Sequence, residues 1–228
     1  MLIFLDAETT GLEDEDRICS LGIIYTKDEE LASQYELIND GKKVSPKASS
    51  VNHITNEMLD AKPILTNTEV YKFLKIHNNK DTTIVGHNIQ YTMQKLLAVG
   101  YVFKGAIIDT LRVSKHLVKE CESYSLQFLR YELKLYKNEK RELLAHHALD
   151  DAFVVRFLYK YLLEIATQDE MSSLSFKNVL IEKFEFGKYK ARYIEEICMY
   201  DRNYLEWMLS NMDLDEDLRY SIDYYIQG

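Results

Sequence analysis

The chain opens with the apolar run Leu2-Ile3-Phe4-Leu5, which continues into Asp6, Ala7 and Glu8. Side chains alternate between the two faces of a strand, so Asp6 and Glu8 point the same way as Leu2 and Phe4. A strand that is apolar on both faces is usually covered on both, as in α/β proteins. Two acids on such a face are costly unless they are paired or bind a cation. The pattern predicts an α/β fold with two carboxylates at a strand end, where such sheets usually bind ligands. Solvated acids, or acids that cap the next turn, are the alternative.

The spacing of apolar residues further along predicts the rest of the sheet and its helices. Strands are expected over residues 17–27, 31–39 and 82–85, and the first two of these continue a meander from the N-terminal strand. Helices are expected over residues 70–76 and 89–99, with Asp109 and Ser125 as N-caps of two more. The sequence therefore predicts a mixed sheet flanked by helices.

A second acidic cluster, residues 145–152, lies just before a segment of helical length and apolar spacing. His146 and Asp151 are five residues apart and do not share a face of a regular helix. We therefore expect His146 in the loop before the helix and Asp151 in its first turn, with small Ala148 and Ala152 letting the helix approach the sheet. A satisfied helix cap is the alternative interpretation of this cluster.

Composition limits the class of protein. The chain has 228 residues, 46% of them hydrophobic, which is enough for one α/β domain and an appendage. No segment approaches the roughly 20 apolar residues of a membrane span, and the N-terminus is unlike a signal peptide. Three scattered cysteines suggest reduced thiols in the cytoplasm. The formal net charge of −9 is unlike that of a protein that coats nucleic acid, which would be basic.

Taken together, the two clusters resemble motifs of the DnaQ-like (DEDD) family of 3′→5′ exonucleases, in its His-containing DEDDh branch. Residues 5–12, Leu-Asp-Ala-Glu-Thr-Thr-Gly-Leu, match the first motif. Residues 146–152, His-His-Ala-Leu-Asp-Asp-Ala, match His-x-Ala-x-x-Asp-Ala, which selects Asp151 over Asp150. Asn52-His53-Ile54-Thr55 resembles the family's His-Gly-Ile-Thr. The resemblance covers residues 1–165 and implies the RNase H-like fold.

The second motif departs from the family pattern. The family reads His-Asn-x-x-Phe-Asp, and its last residue is the fourth acid. Here residues 87–92 read His-Asn-Ile-Gln-Tyr-Thr, so Thr92 stands where the acid belongs. A threonine hydroxyl is a neutral ligand, and the resemblance therefore implies a weakened second metal site.

The resemblance also implies a chemical role for the residues that match the family's motifs. Two divalent cations about 3.5–4 Å apart can stabilise both the attacking and the leaving oxygens of a phosphodiester. Mg²⁺ or Mn²⁺ would be held by Asp6, Glu8 and Asp151, with His146 as the general base, since imidazole titrates near neutral pH. Substrate contacts are expected from Thr9, Thr10, Leu12, His87 and Asn88.

The composition changes near residue 167, which divides the chain into an exonuclease domain, 1–167, and a small, mostly helical C-terminal module, 168–228. Residues 168–173 look like a polar linker. Asp201 is expected to cap one helix of the module and Asp215 to open the last. The module resembles one at the C-terminus of some bacterial DEDDh exonucleases, with Ala191 in place of Gly. Lys188, Lys190 and Arg192 alternate with tyrosines and would contact a strand backbone. Alternatively the aromatic residues, Trp207 included, form the module's own core.

Two functions follow as hypotheses. The first is a metal-dependent 3′→5′ exonuclease that releases nucleoside monophosphates from DNA 3′ ends in repair or proofreading. The second is a nucleic-acid-binding member of the same fold that Thr92 has weakened or inactivated. DNA and RNA are not distinguished by the sequence. Because the chain is acidic, we expect modest affinity and delivery to DNA by a replication or repair protein.

Overall fold

The computed structural model describes residues 1–27, 30–119 and 121–227, and the chain divides into two compact units, Met1–Ser175 and Phe176–Gly228. The first unit contains a five-stranded sheet with the order β3-β2-β1-β4-β5. The strands are β1 (Leu2–Thr9), β2 (Ile18–Lys27), β3 (Glu30–Leu37), β4 (Thr83–Gly86) and β5 (Ala106–Asp109). Antiparallel β1, β2 and β3 form the expected meander, and β4 and β5 add to β1 in parallel.

Helices of the first unit precede, separate and follow the parallel strands. They are α1 (Pro46–Asn52), α2 (Asn56–Leu59), α3 (Glu69–Ile76), α4 (Ile89–Leu97), α5 (Thr110–Leu117), α6 (Leu126–Glu132), α7 (Ala148–Leu162) and α8 (Gln168–Leu174). Short 3₁₀ turns cover Leu65–Asn67 and Leu135–Asn138. The expected caps are confirmed: Asp109 accepts from the Leu111 amide at 3.0 Å and Ser125 from the Phe128 amide at 3.4 Å.

The sheet is covered on both faces, as the apolar run in β1 predicts. Ile3 and Leu5 pack on one face in a cluster that includes residues of α3 and α4. Phe4 packs on the other face with Val155 and Leu158 of α7. Burying one such side chain fully contributes about 1.5–3 kcal/mol, so this strand anchors two cores at once. The mixed sheet between helical layers confirms the expected fold class.

Close approach of α7 to the sheet depends on one glycine. A Cβ at Gly22 would lie 2.4 Å from the Leu149 amide nitrogen and 2.6 Å from the Ala148 carbonyl carbon. Gly22 pairs with Asp6 across the sheet, so the first turn of α7 rests beside that acid. Ala148 and Ala152 are fully buried, as expected for small residues at this contact.

The polar segment after residue 167 is a helix, α8, and the linker prediction is wrong. Thr167 and Glu170 form a reciprocal capping box at its start. Met171 is fully buried with the core on the α7 face of the sheet, and the Ser175 hydroxyl accepts from the Asp109 amide at 2.8 Å. Leu174 packs on the same core, and the Ser172 hydroxyl donates to the Ile107 carbonyl of β5 at 3.2 Å, so a short helix of polar composition is held on that strand. The compact units accordingly divide after Ser175 instead of residue 167.

The second unit contains α9 (Ile194–Tyr200), α10 (Arg202–Asn211) and α11 (Glu216–Gln227) around a small apolar core. Asp215 opens α11 as expected and accepts from the Leu218 amide at 2.9 Å. Asp201 precedes α10, but its carboxylate binds Lys188 and Tyr189 and does not cap the helix. Trp207 is 51% exposed, so its expected place in the core is wrong. It stacks on Tyr204 at the edge of that core.

Two further properties bear on the sequence-based expectations. Cys19, Cys121 and Cys198 are all free thiols. Within the described part of the chain, no helix has the length and apolar character needed to cross a membrane.

Candidate active site

A cavity of about 460 Å³ lies at the C-terminal end of β1. Acidic, imidazole and amide side chains face it: Asp6, Glu8, His87, Gln127, His146 and Asp151. Four of these residues were singled out by the two sequence motifs, which are well over a hundred positions apart. The fold therefore brings both acidic clusters to one cavity.

Strand β1 presents its two acids side by side. Asp6 pairs with Gly22 and Glu8 with Ser20 of β2, and the register shifts between Glu8 and Thr9. The regular pairing of the strand therefore ends directly after the second acid. The alternation of the strand therefore carries both carboxylates into the cavity, while Leu5 stays in the core.

His146 and Asp151 occupy the places expected from their spacing. His146 lies before α7 with a left-handed backbone, φ 58°, and its side chain is exposed. Its amide donates to Asp151 Oδ2 at 2.9 Å, so the loop is tied to the acid in the first turn of the helix. Ligand atoms of Glu8, His146 and Asp151 lie within 4.8 Å of one another.

Burial and neighbouring negative charge raise the pKa values of the carboxylates of this cavity. Burial raises the pKa of Asp6 well above its usual range, and the charges of Asp151 and Glu8 raise it further. Burial and the charge of Asp151 raise the pKa of Glu8 to about 8, against a lowering effect from the Asn52 side chain. Burial raises the pKa of Asp151 to about 7 despite the His146 amide bond. Three carboxylates with raised pKa values in one cavity are the arrangement expected of a site that binds a cation.

The loop after β1 is held by α4. Tyr91 Oη donates to the Gly11 carbonyl at 2.9 Å and lies 3.3 Å from Thr9 Oγ1. Leu12 is 74% exposed, as a substrate contact requires. Thr10 is different, because its side chain is buried and its hydroxyl donates to Asp16 at 2.8 Å. The Thr10 hydroxyl therefore organises the loop, and a substrate contact by Thr10 stays a prediction.

His87 and Asn88 lie at the end of β4, but their side chains differ in environment. His87 lines the cavity, with Nε2 2.9 Å from the Tyr124 carbonyl oxygen and Nδ1 3.0 Å from Thr110 Oγ1. Burial lowers the pKa of His87 to about 4, so its ring is neutral and held by protein on both nitrogens. Asn88 is exposed, and substrate contact by either residue stays a prediction.

Thr92 is buried in α4, with 6% of its surface exposed. It lies one residue after Tyr91, which holds the β1 loop, and three before Lys95, whose ammonium donates to the Glu13 carbonyl at 2.6 Å. Thr92 is not among the described residues that line the cavity. The helix that should supply a fourth acid thus contributes loop contacts and a neutral side chain.

Two residues of the site were missed by the sequence analysis. Gln127 of α6 donates to Asp151 Oδ1 at 2.5 Å. Asn52, at the end of α1, donates to the Thr9 carbonyl at 3.2 Å and hydrogen bonds with Glu8. Neither amide has a charge or a spacing that marks it, although Asn52 lies in the stretch that resembles His-Gly-Ile-Thr.

The donor set fits a hard divalent cation. Asp6, Glu8 and Asp151 supply carboxylate oxygens, the ligands that Mg²⁺ prefers, and their raised pKa values show the crowding that a cation would relieve. Glu8 and Asp151, together with Asp6 in the same cavity, are the carboxylates that would hold a metal, and a ring nitrogen of His146 lies within 4.8 Å of a carboxylate oxygen of Glu8 and of Asp151.

Comparison with known proteins agrees with this geometry. Residues 3–159 match the RNase T-type family described as Exonuclease. The chain belongs to this exonuclease family. Residues 184–213 also match the exodeoxyribonuclease X-like C-terminal family. The chain therefore combines an exonuclease domain of the DnaQ type with a separately defined C-terminal domain.

Three relatives illustrate the range of the match. Exodeoxyribonuclease 10 of Escherichia coli K12 is 25% identical over the full length of both chains. The PolC-type DNA polymerase III of Thermotoga maritima is 29% identical over 82% of this chain and 14% of that protein. The solved structure of exonuclease X in complex with 5′-overhanging duplex DNA superposes with a TM-score of 0.62 at 21% identity, covering 77% of this chain and 99% of that one. This last likeness confirms the RNase H-like fold.

Proposed function

We propose that this member of the exonuclease family is a metal-dependent 3′→5′ exonuclease that removes nucleoside monophosphates from DNA 3′ ends. The observation that carries the proposal is the meeting of Asp6, Glu8, His146 and Asp151 at one cavity. A module that only binds nucleic acid has no need of an imidazole beside three mutually repelling carboxylates.

In this proposal each side chain has one task. Asp6, Glu8 and Asp151 hold one well-bound Mg²⁺ or Mn²⁺, and a second ion is held weakly. When bound, these ions stabilise negative charge on the attacking and leaving oxygens of the phosphodiester. His146, exposed at the edge of the cavity, takes the proton from the attacking water as general base. The exposed Leu12 contacts the terminal nucleotide, together with Thr9, His87 and Asn88.

The choice of DNA as substrate rests on the relatives. One is named an exodeoxyribonuclease, another is a DNA polymerase, and the similar structure contains duplex DNA. An acidic chain of net charge −9 binds strand ends through local contacts, so delivery by a replication or repair protein belongs to the proposal. The proposal also includes a cytoplasmic location, which the three free thiols support.

A second candidate function is binding of nucleic acid without efficient cleavage. Thr92 in the place of the family's fourth acid is the observation that favours it. Both candidates need the same cavity, and they differ only in turnover.

Digestion of oligonucleotides labelled at either end tests the proposal. Single- and double-stranded DNA and RNA are incubated with Mg²⁺, Mn²⁺ or EDTA. We expect a 5′-labelled DNA strand to shorten stepwise and a 3′ label to appear as a mononucleotide, in both cases only with metal. Shortening from the 5′ end, or activity in EDTA, contradicts the proposal. Tight binding without any product establishes the second candidate.

A further inference from the structure

A buried chain of polar side chains lies directly behind Asp151. Arg130 Nε and Nη2 bind the two oxygens of Glu139 at 2.6 and 2.7 Å, and Nη1 donates to Gln127 Oε1 at 3.0 Å. Gln127 Nε2 then donates to Asp151 Oδ1 at 2.5 Å. The side chains of Arg130 and Glu139 are only 6% and 10% exposed. A buried ion pair thus ends in a hydrogen bond to one of the three carboxylates.

Arg130 decides which end of the Gln127 amide faces the acid. A guanidinium has donors only, so the Gln127 carbonyl must turn toward Arg130 and the NH₂ group toward Asp151. Asp151 then receives one donor on each oxygen, Gln127 on Oδ1 and the His146 amide on Oδ2. Two donors from different elements fix the plane of the carboxylate and leave a lone pair on each oxygen for a cation.

The same guanidinium also holds the loop that carries His146. Arg130 Nη2 donates to the Leu143 carbonyl at 3.1 Å, three residues before His146, and Glu139 lies at the start of that loop. Each of the three guanidinium nitrogens therefore donates either to Gln127, which contacts Asp151, or to a residue of the loop that carries His146. Buried ion pairs often add little net stability. The position of the Arg130–Glu139 pair is better explained by the way it orients Gln127 and the His146 loop.

We infer that Gln127 and Arg130 are positioning residues: Gln127 orients the metal-binding carboxylate of Asp151, and Arg130 fixes both Gln127 and the His146 loop. The inference rests on the proposed function, because it concerns the same carboxylates and the same imidazole. Residues that orient metal ligands typically affect metal affinity or activity by 10–100-fold.

The test compares metal binding and catalysis in three full-length variants. Gln127→Met removes the amide but leaves the Arg130–Glu139 pair. Arg130→Lys keeps the charge but loses the planar fork. Arg141→Lys is the matched control, because Arg141 lies in the same loop and pairs with Asp150, which a lysine can also do. Melting temperature and cleavage rate are both measured across a Mg²⁺ or Mn²⁺ titration.

We expect Gln127→Met to need 10–100-fold more metal for half its rate and half its thermal shift, with the rate largely restored at saturating metal. Arg130→Lys should show the same shift and, in addition, a lower rate at saturating metal, because the His146 loop is loosened. A fourth variant, which combines Gln127→Met with Arg130→Lys, should need little more metal than Arg130→Lys alone, since both changes act on one pathway. Arg141→Lys should match the parent.

The outcomes separate this inference from the proposed function. A parent that binds metal and cleaves DNA, with Gln127→Met equal to it at every metal concentration, overturns the inference alone. An Arg130→Lys variant that only melts earlier, with an unchanged metal requirement, shows a purely structural role and also overturns it. A parent that neither binds metal nor cleaves DNA contradicts both.

Discussion

The two compact units differ in one respect: the first gathers like charges at a cavity, and the second does not. In Met1–Ser175, Asp6, Glu8 and Asp151 gather at one cavity, where burial and neighbouring negative charge raise their pKa values. In Phe176–Gly228, charged side chains pair locally, with Lys188 on Asp201, Arg192 on Glu196 and Arg202 on Glu206. Like charges that are kept together at a cost point to a ligand of opposite charge. Exposed charges that are already paired with each other do not indicate a charged ligand.

This difference also bears on the alternatives for the C-terminal module. Residues 176–228 contain seven Lys and Arg residues and eleven Asp and Glu residues, a formal charge of −4. Tyr189 and Tyr204 pack against the core of that unit. The structure therefore favours aromatic residues that stabilise the module over a basic strand-binding surface.

The largest effect is expected from loss of the first carboxylate. Asp6→Ala should lower the cleavage rate by at least about 10³-fold, because a metal site of this kind supplies several kcal/mol of transition-state stabilisation. Removing a buried acid that its neighbours repel should also raise the melting temperature in EDTA. Rate and melting are measured together, with Asp6→Asn as the isosteric control. Substantial activity in Asp6→Ala would contradict the metal mechanism.

His146→Ala should slow cleavage by roughly 10²–10⁴-fold if the imidazole is the general base. Metal-induced stabilisation should persist, because the three carboxylates remain. The matched control is His147→Ala, since His147 stacks on Tyr35 with ring centroids 4.5 Å apart and is not part of the carboxylate cluster. A larger loss of rate in His147→Ala than in His146→Ala would show that His147, and not His146, is the general base.

Thr92→Asp adds the acid that the family pattern places in α4. Because Thr92 is buried, the new charge should lower the melting temperature in EDTA, and metal should restore it. If the side chain reaches the second ion, the rate at low Mg²⁺ should rise by about tenfold, the effect of 1.4 kcal/mol. Thr92→Asn is the neutral control. An equal response of both variants to metal would show that position 92 does not reach the site.

Most of the site was predictable because its residues carry spacing signals. Strand alternation placed Asp6 and Glu8 on one face, and the five-residue separation placed His146 in a loop and Asp151 in a helix. Both are local rules that apply to any strand or helix. The meander of β1, β2 and β3 was predicted, and the short apolar strand expected at residues 82–85 is β4, Thr83–Gly86. Strand β5 and the order of the strands in the sheet were not predicted.

What sequence reasoning missed depends on contacts between distant segments. Gln127 gains its role only because α6 packs beside α7, and Gly22 only because α7 crosses β2. Helix α8 looked like a linker because most of its residues are polar, while Met171 and Leu174 pack in the core. Thr10 matched a motif, but its hydroxyl turned to Asp16, a partner that no spacing rule indicates.

Without metal, the protein should lose stability as pH rises. The pKa values of Glu8 and Asp151 are raised from 4.5 to about 8 and from 3.8 to about 7. The folded state therefore binds more protons than the unfolded state, and this stability is lost as pH rises through those folded values. His87, whose pKa is lowered to about 4, acts oppositely, but only below its ordinary value of 6.5.

The clearest window thus lies between about pH 6.5 and about pH 8. Melting temperature in EDTA should fall across it by several degrees, at roughly 2–4 °C for each kcal/mol lost. Mg²⁺ should reduce the fall, because it binds the deprotonated folded state. Asp6→Asn should flatten the slope as well. A melting temperature that rises with pH in EDTA would show that folding does not raise the pKa values of these acids.

The smallest effect is expected in the module. Lys188 pairs with Asp201 at 3.0 Å and lies over the rings of Tyr189 and Tyr204, so its charge is already engaged within the unit. Lys188→Gln should therefore change affinity for long single-stranded DNA less than about twofold and leave the slope of log affinity against log salt unchanged. Lys190→Gln, two positions along, is the control. A slope reduced by about 1 in the Lys188 variant would reveal a phosphate contact and make the module a DNA-binding surface, contrary to the comparison of the two units.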